Sequence, residues 1–218
     1  MSGSFPIFDK AVEQLVGWMA PARLLDIGAG AGKFGQLVGR VAPACERVAV
    51  EVHAPYVERF GLAQHYERVD PVDATQWWRA NAEEAFDLVI LGDCLQNMAK
   101  SDGLDLLNAM AYRSAWLVAL LPEFIVQGVV DGADSEVHRS VWSERDMQWH
   151  DLWAFDNARA MTLVLLRGYR PSPLTIDSAV QRINEGAVPL LDYDGQSTVR
   201  SCRLRLVDHA REVAYRPR

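Results

Sequence analysis

The chain has few cysteines, no excess of positive charge and no long hydrophobic run, and each shortage removes a class of protein. Cys45, Cys94 and Cys202 are odd in number, far apart and never in a Cys-x-x-Cys pair, which argues against a disulfide framework and a zinc knuckle. The longest apolar runs, AWLVALL before Pro122 and MTLVLL before Arg167, fall well short of the ~20 residues of a membrane helix. The opening MSGSFPIFDKAVEQ has no basic start, no long apolar stretch and no small-residue cleavage site, so a cytoplasmic, unprocessed protein without a membrane partner is expected. The net charge of −7 sets nucleic acid at a disadvantage as a partner. That charge is uneven: residues 200–218 carry six arginines against Asp208 and Glu212, a local +4 that leaves −11 for the first 199 residues. Such a tail is either a solvated face or a contact for an anionic substrate or a second subunit.

What is present fits one α/β domain with an appendage. Of 218 residues, 50% are apolar and 23% charged, enough for a packed core and too apolar for disorder. Val12, Leu15, Val16 and Met19 follow helical spacing, ARLLDIG reads as a first buried strand, and Phe34, Leu37, Val38 and Val41 return to helical spacing. RVAVEV reads as a second strand, residues 54–61 as a short helix and HYERV as a third strand, followed by a helix near ATQWWRAN. FDLVILGD is a fourth strand, Ser101 or Asp102 caps a helix to about Tyr112, and AWLVALL is a fifth. Residues 123–142 are irregular, and Ser143 with Asp146 forms a capping box for a helix through about His150. DLWAF and MTLVLLR, separated by DNARA, suit an antiparallel hairpin. Beyond Pro171 and Pro173 a helix over 175–185 ends at Gly186, and a hairpin from about Ser197 to Tyr215 turns at DHA.

The strongest chemical signal is LLDIGAGAGKFG, in which a strand carrying Asp26 runs into Gly28, Gly30 and Gly32 before a helix. Glycines at such a turn let a ligand approach the backbone, and helix amides point at it. Gly30, Gly32 and Gly35 also satisfy the Gly-x-Gly-x-x-Gly of dinucleotide sites, so an NAD-dependent oxidoreductase is a rival reading. A phosphate-binding P-loop fails, because Ile27 stands at its first glycine and Phe34 at its Ser/Thr. Glu51, 25 residues after Asp26, ends the second strand, where a carboxylate can accept both hydroxyls of a ribose. Asp73, or Asp70, follows the third strand, where it can accept the amine of adenine. Asp26, Glu51 and Asp73 together suit a cationic, adenosine-bearing ligand, S-adenosylmethionine, better than a pyrophosphate.

On these residues the stretch from about 22 to 167 resembles the class I S-adenosylmethionine-dependent methyltransferases. LLDIGAGAGKFG resembles their nucleotide loop, and FDLVILGDCLQNMAKSDGLDLL and SEVHRSVW are similar to segments of a small bacterial subgroup. The resemblance implies a Rossmann-like seven-stranded sheet, mostly parallel, with a terminal antiparallel hairpin and flanking helices. A C-terminal helix and β-hairpin then extend it. It departs at Asn97, where the subgroup commonly carries histidine, which keeps open a non-catalytic module that binds the cofactor within a complex.

The expected organisation is a methyltransferase domain over residues 1–170 and an extension over 171–218, acting as a substrate lid or a homodimer contact. The expected cofactor site is Asp26, Gly28, Gly30, Gly32, Glu51, Asp73 and Asp93. The expected acceptor is an oxygen or nitrogen of a small molecule or sugar, with Asp93, Glu136 and His138 in catalysis. A methyl transfer needs an aligned nucleophile and, for a hydroxyl, a base to remove its proton, work suited to a histidine beside a carboxylate. No divalent metal is expected, because Asp93, Glu136 and His138 lack a diagnostic ligand spacing. Cys94 reads as a small core residue, as do Trp77, Trp78, Trp116, Trp149 and Trp153, although tryptophans beyond residue 141 are also candidates to wall a substrate pocket.

Overall fold

A computed structural model describes residues 4–130 and 132–209 of the chain. Its elements alternate helix and strand, as the hydrophobic periodicity requires. Helix α1 (Asp9–Met19) leads to β1 (Arg23–Ile27), α2 (Lys33–Val41), β2 (Glu46–Val50), α3 (Ala54–Arg59) and β3 (Arg68–Asp70). Then come α4 (Ala74–Ala80), β4 (Phe86–Gly92), α5 (Lys100–Arg113) and β5 (Ser114–Pro122). After an irregular segment the chain continues through β6 (Leu152–Ala158), β7 (Met161–Arg167), α6 (Ile176–Glu185), β8 (Pro189–Leu191), β9 (Thr198–Ser201) and β10 (Arg205–Asp208).

The main sheet has the order β3-β2-β1-β4-β5-β7-β6-β10. β3, β2, β1, β4 and β5 are parallel, whereas β7 is antiparallel to both β5 and β6. Strand residues alternate between two apolar layers. Leu24, Leu88, Ile90, Val118 and Leu165 pack with α1, α2 and α6 on one face, and Leu25, Val89, Leu117 and Leu166 pack with α4 and α5 on the other. Strand order reverses between β1 and β4, so the crevice beyond the carboxyl ends of β1, β2 and β4 is where a ligand belongs in an open α/β sheet.

Several local expectations are corrected. The third strand is only Arg68–Asp70; His65 and Tyr66 precede it, and the Tyr66 ring turns into the core beneath the glycine loop. The Ser143 capping box is formed, but it starts a 3-10 turn over Glu144–Met147 rather than an α-helix. Helix α5 begins at Lys100, ahead of Ser101 and Asp102. The C-terminal hairpin uses other residues: β8 pairs with β9, and the CRLRLV stretch instead lays β10 antiparallel on β6 as an eighth strand. Residues 210–215 of the expected hairpin lie outside the described residues.

Candidate functional site

At the end of β1 the chain turns through Gly28, Gly30 and Gly32 with φ of +76°, +52° and +74°. A side chain at Gly28 would bring its Cβ within 2.6 Å of Cys94 Cβ, which explains why only glycine fits there and why Cys94 is a packing residue. The Gly28 N–H donates to Val50 O at 2.8 Å and the Gly30 N–H to Glu51 Oε2 at 2.7 Å, so the loop is folded onto the end of β2. Glu51 Oε1 accepts from the His53 N–H at 2.8 Å. Burial raises the Glu51 pKa, and the two backbone N–H groups offset part of that rise.

Asp26 is corrected as a direct ligand contact. Its carboxylate is fully buried and does not line the cavity; Tyr66 donates its hydroxyl to Asp26 Oδ2 and accepts the Gly35 N–H at 2.9 Å. A Cβ on Gly35 would lie 2.4 Å from the Tyr66 ring, so the third glycine of the dinucleotide-like pattern serves this packing. Gly32 likewise lies outside the lining and starts α2 in the left-handed conformation.

Burial pushes Asp26 up to about 7, with the Glu51 charge adding to the rise and Tyr66 opposing it. In the unfolded chain this carboxyl titrates near 3.8. The folded state therefore holds the proton more tightly, and stability falls as pH rises from the unfolded toward the folded value. Asp26→Asn is expected to raise stability at pH 8 by on the order of 2 kcal/mol and to lose that advantage toward pH 4. Denaturant unfolding at the two pH values is the check; a variant no more stable at pH 8 would contradict it.

A cavity of about 790 Å³ opens beyond the carboxyl ends of β1, β2, β4 and β5. It gathers Gly28, Gly30, Glu51, Asp73, Asp93, Glu136 and His138, seven of the nine expected site residues. Between the two aspartates left open after β3, Asp73 lines the cavity and caps α4 through Thr75, while Asp70 is turned to Trp77 Nε1 at 2.6 Å. Asp93 has a left-handed φ of +62° at the end of β4 and accepts from Gln96 Nε2 at 2.8 Å. Burial pushes its carboxyl up to about 6, against the opposing pull of His138.

The irregular segment after β5 is tied to the turn after β4 by its backbone. Gln96 O accepts from the N–H groups of Arg139 at 2.6 Å and Ser140 at 3.0 Å. The His138 N–H donates to Gln127 O, and His138 Nδ1 lies 3.0 Å from Ile125 O. A carbonyl only accepts, so Nδ1 carries a proton and neutral His138 keeps its lone pair on Nε2. Among the described residues no tryptophan lines the cavity: Trp142 and Trp153 are buried, whereas Trp149 is 79% exposed and so departs from its expected packing role. Nor, among them, does any cluster of three His, Cys, Asp or Glu side chains have the arrangement of a metal site.

Four contributors escaped the sequence reading. Lys33 lines the cavity directly after the glycine loop, ion-paired with Asp9 at 2.5 Å and hydrogen-bonded to the Ser4 and Phe5 carbonyls at 3.1 Å; its place in GAGK was the available signal. Gln96 stands one turn after Asp93. Phe5 and Tyr193, which both line the cavity and whose rings meet edge-on at 5.0 Å, come from opposite ends of the chain and left no local signal.

The strand order, the antiparallel β7 and the cavity position define the fold of class I S-adenosylmethionine-dependent methyltransferases, and solved structures agree. The chain is similar to an O-methyltransferase family protein from Burkholderia thailandensis at 16% identity and a TM-score of 0.55, covering 75% of this chain and 56% of that one. It is similar to the N-methyltransferase NodS from Bradyrhizobium japonicum WM9 in complex with S-adenosyl-L-homocysteine (16%, 0.51, 74% and 85%). A third similarity is to the plantazolicin methyltransferase BpumL in complex with SAH (8%, 0.57, 75% and 85%). The chain thus spans little more than half the length of the Burkholderia protein. No family model and no curated protein sequence matches it. Among the described residues, no helix is long and apolar enough to cross a membrane.

Proposed function

We propose that this chain is an S-adenosylmethionine-dependent methyltransferase acting on an oxygen or nitrogen of a small molecule, sugars included. The observation that carries the reading is the glycine loop bonded through Gly30 to Glu51, with both at the cavity wall. Glu51 and Asp73 stand at the ends that would receive ribose and adenine, and Asp93 stands where the methyl-donor end would lie. The solved structures of NodS and BpumL with the demethylated product support the same cofactor. A dinucleotide enzyme is less well supported: its usual sheet order is 3-2-1-4-5-6, without an antiparallel strand inserted beside the fifth.

The cavity fits the cofactor by size and by charge. Its ~790 Å³ lies within the range of small-molecule sites, and Glu51, Asp73, Asp93 and Glu136 complement a sulfonium and an ammonium. When bound, S-adenosylmethionine supplies an electrophilic methyl group. Gly28, Gly30, Glu51 and Asp73 would hold the adenosine, and Asp93 would orient the donor end. His138 presents Nε2 to take a proton from the acceptor, held in that tautomer by Ile125 O. Glu136 stabilises the resulting imidazolium. The domain over 1–170 carries all of these, and residues 171–218 bring Tyr193 to the cavity, which favours a substrate lid over a homodimer contact.

Calorimetric titration tests the reading. Micromolar binding of S-adenosylhomocysteine and none of NAD is expected. The reverse would overturn the assignment, and cofactor binding without turnover on any acceptor would favour the binding-module alternative.

A further inference from the structure

The cavity has an apolar side that the proposed cofactor contacts leave free. Phe5, Pro6, Met98, Ile125 and Tyr193 line it, and each keeps part of its surface exposed, Phe5 36% and Tyr193 48%. Phe5, Ile125 and Tyr193 join none of the apolar clusters of the core, so folding leaves their surface unused. Their placement separates them from the adenosine end. Met98 and Ile125 follow β4 and β5, whereas Asp73 follows β3 at the opposite border of the parallel strands. Phe5 hangs from Lys33, whose Nζ donates to Ser4 O and Phe5 O at 3.1 Å and whose charge pulls the Asp93 carboxyl down. The Phe5 and Tyr193 rings meet edge-on at 5.0 Å on braced backbone: the Leu191 N–H donates to Ile7 O at 3.0 Å, and Asp192 pairs with Arg159 at 2.6 Å. Two rings held in this way form a ready-made corner that a further aromatic ring can meet face to edge.

We propose that the methyl acceptor is an uncharged, planar aromatic compound whose ring lies against Phe5 and Tyr193, with the oxygen or nitrogen to be methylated toward Asp93 and His138. This inference rests on the methyltransferase reading and makes Phe5 and Tyr193 residues that determine specificity. Other acceptors fit this side less well. A sugar would have its hydroxyls stripped of water against five apolar side chains. Among the described residues, the lysine and arginine of the lining are already ion-paired, Lys33 with Asp9 and Arg139 with Asp134, both at 2.5 Å, which leaves an anionic acceptor without a counter-ion. A saturated ring buries similar area but forgoes the contact between ring face and ring edge.

The test uses the full chain saturated with S-adenosylhomocysteine and three neutral probes, 2-naphthol, its saturated counterpart 2-decalol, and methyl glucoside, titrated near neutral pH with ligand-observed NMR. 2-Naphthol is expected to bind roughly three- to tenfold more tightly than 2-decalol, with methyl glucoside weakest. Combining Phe5→Leu with Tyr193→Leu keeps apolar bulk and removes both rings. The preference for 2-naphthol over 2-decalol is then expected to fall below about twofold, with the affinity for S-adenosylhomocysteine unchanged, which also reports that the variant is folded. Equal or tighter binding of 2-decalol or methyl glucoside, no binding by any probe, or an undiminished preference in the variant overturns the aromatic assignment. Loss of S-adenosylhomocysteine affinity in the variant overturns it too, because the rings would then serve the cofactor. Failure of the native chain to bind S-adenosylhomocysteine overturns the underlying reading instead.

Discussion

Replacing His138 with alanine is expected to lower kcat by ~10² to 10⁴, the usual worth of a general base, while leaving the affinity for S-adenosylhomocysteine nearly intact. The separation follows from position. His138 lies on the segment after β5, whereas Glu51 and Asp73 stand at the ends of β2 and β3. The imidazole also holds Ile125 O, so alanine removes a loop anchor along with the base. His138→Gln tells these apart, because an amide can keep a hydrogen bond but cannot take a proton at neutral pH. A slow glutamine variant with an unchanged melting temperature is the expected outcome. A glutamine variant near the native rate would reduce the histidine to a positioning group, and a fully active alanine variant would remove it from the chemistry.

Glu51→Ala acts on the opposite step. It removes the acceptor that fastens Gly30 N–H at 2.7 Å and His53 N–H at 2.8 Å, together with the carboxylate proposed to receive the ribose hydroxyls. At ~1.5–3 kcal/mol per hydrogen bond to a charged group, the affinity for S-adenosylhomocysteine should fall on the order of 10- to 100-fold or more. Glu51→Gln keeps one acceptor oxygen and should lose less. Calorimetry on the three proteins measures the series, and an unchanged dissociation constant in the alanine variant would place the ribose elsewhere.

Much of this architecture could be read from periodicity. The FDLVILG strand, the helix that follows it and the reversal at DNARA are local patterns, and the structure reproduces them as β4, α5 and the β6–β7 hairpin. Glu51 and Asp73 could be expected near a ligand crevice because a strand end or helix start marks each of them, and both line the cavity. Asp26 shows where this reasoning stops: a carboxylate ahead of spaced glycines suggests a ligand contact, yet a tyrosine forty residues later covers it. That partner is set by packing, not by spacing. Alternation in CRLRLV likewise identified a strand but could not name its neighbour, because Leu206 sits opposite Ala154, more than fifty residues away in the chain. Phe5 and Tyr193 meet at the cavity through long-range folding alone.

The pairing of β10 with β6 has a further consequence, for self-association. In a sheet that ended at β6, Trp153, Ala154 and Phe155 would form a flat apolar border with unpaired backbone groups, a template for joining another chain edge to edge. β10 covers that border with only four residues. Its Arg205 lies 4.2 Å over the Phe155 ring and bonds Asn157 Oδ1 at 2.6 Å, placing a charge at the start of the covering strand. The opposite border, β3, is three residues long and carries Arg68, bonded to Glu84 at 2.7 Å, and Asp70. Among the described residues, short, charged borders on both sides make the open sheet a poor seed for aggregation.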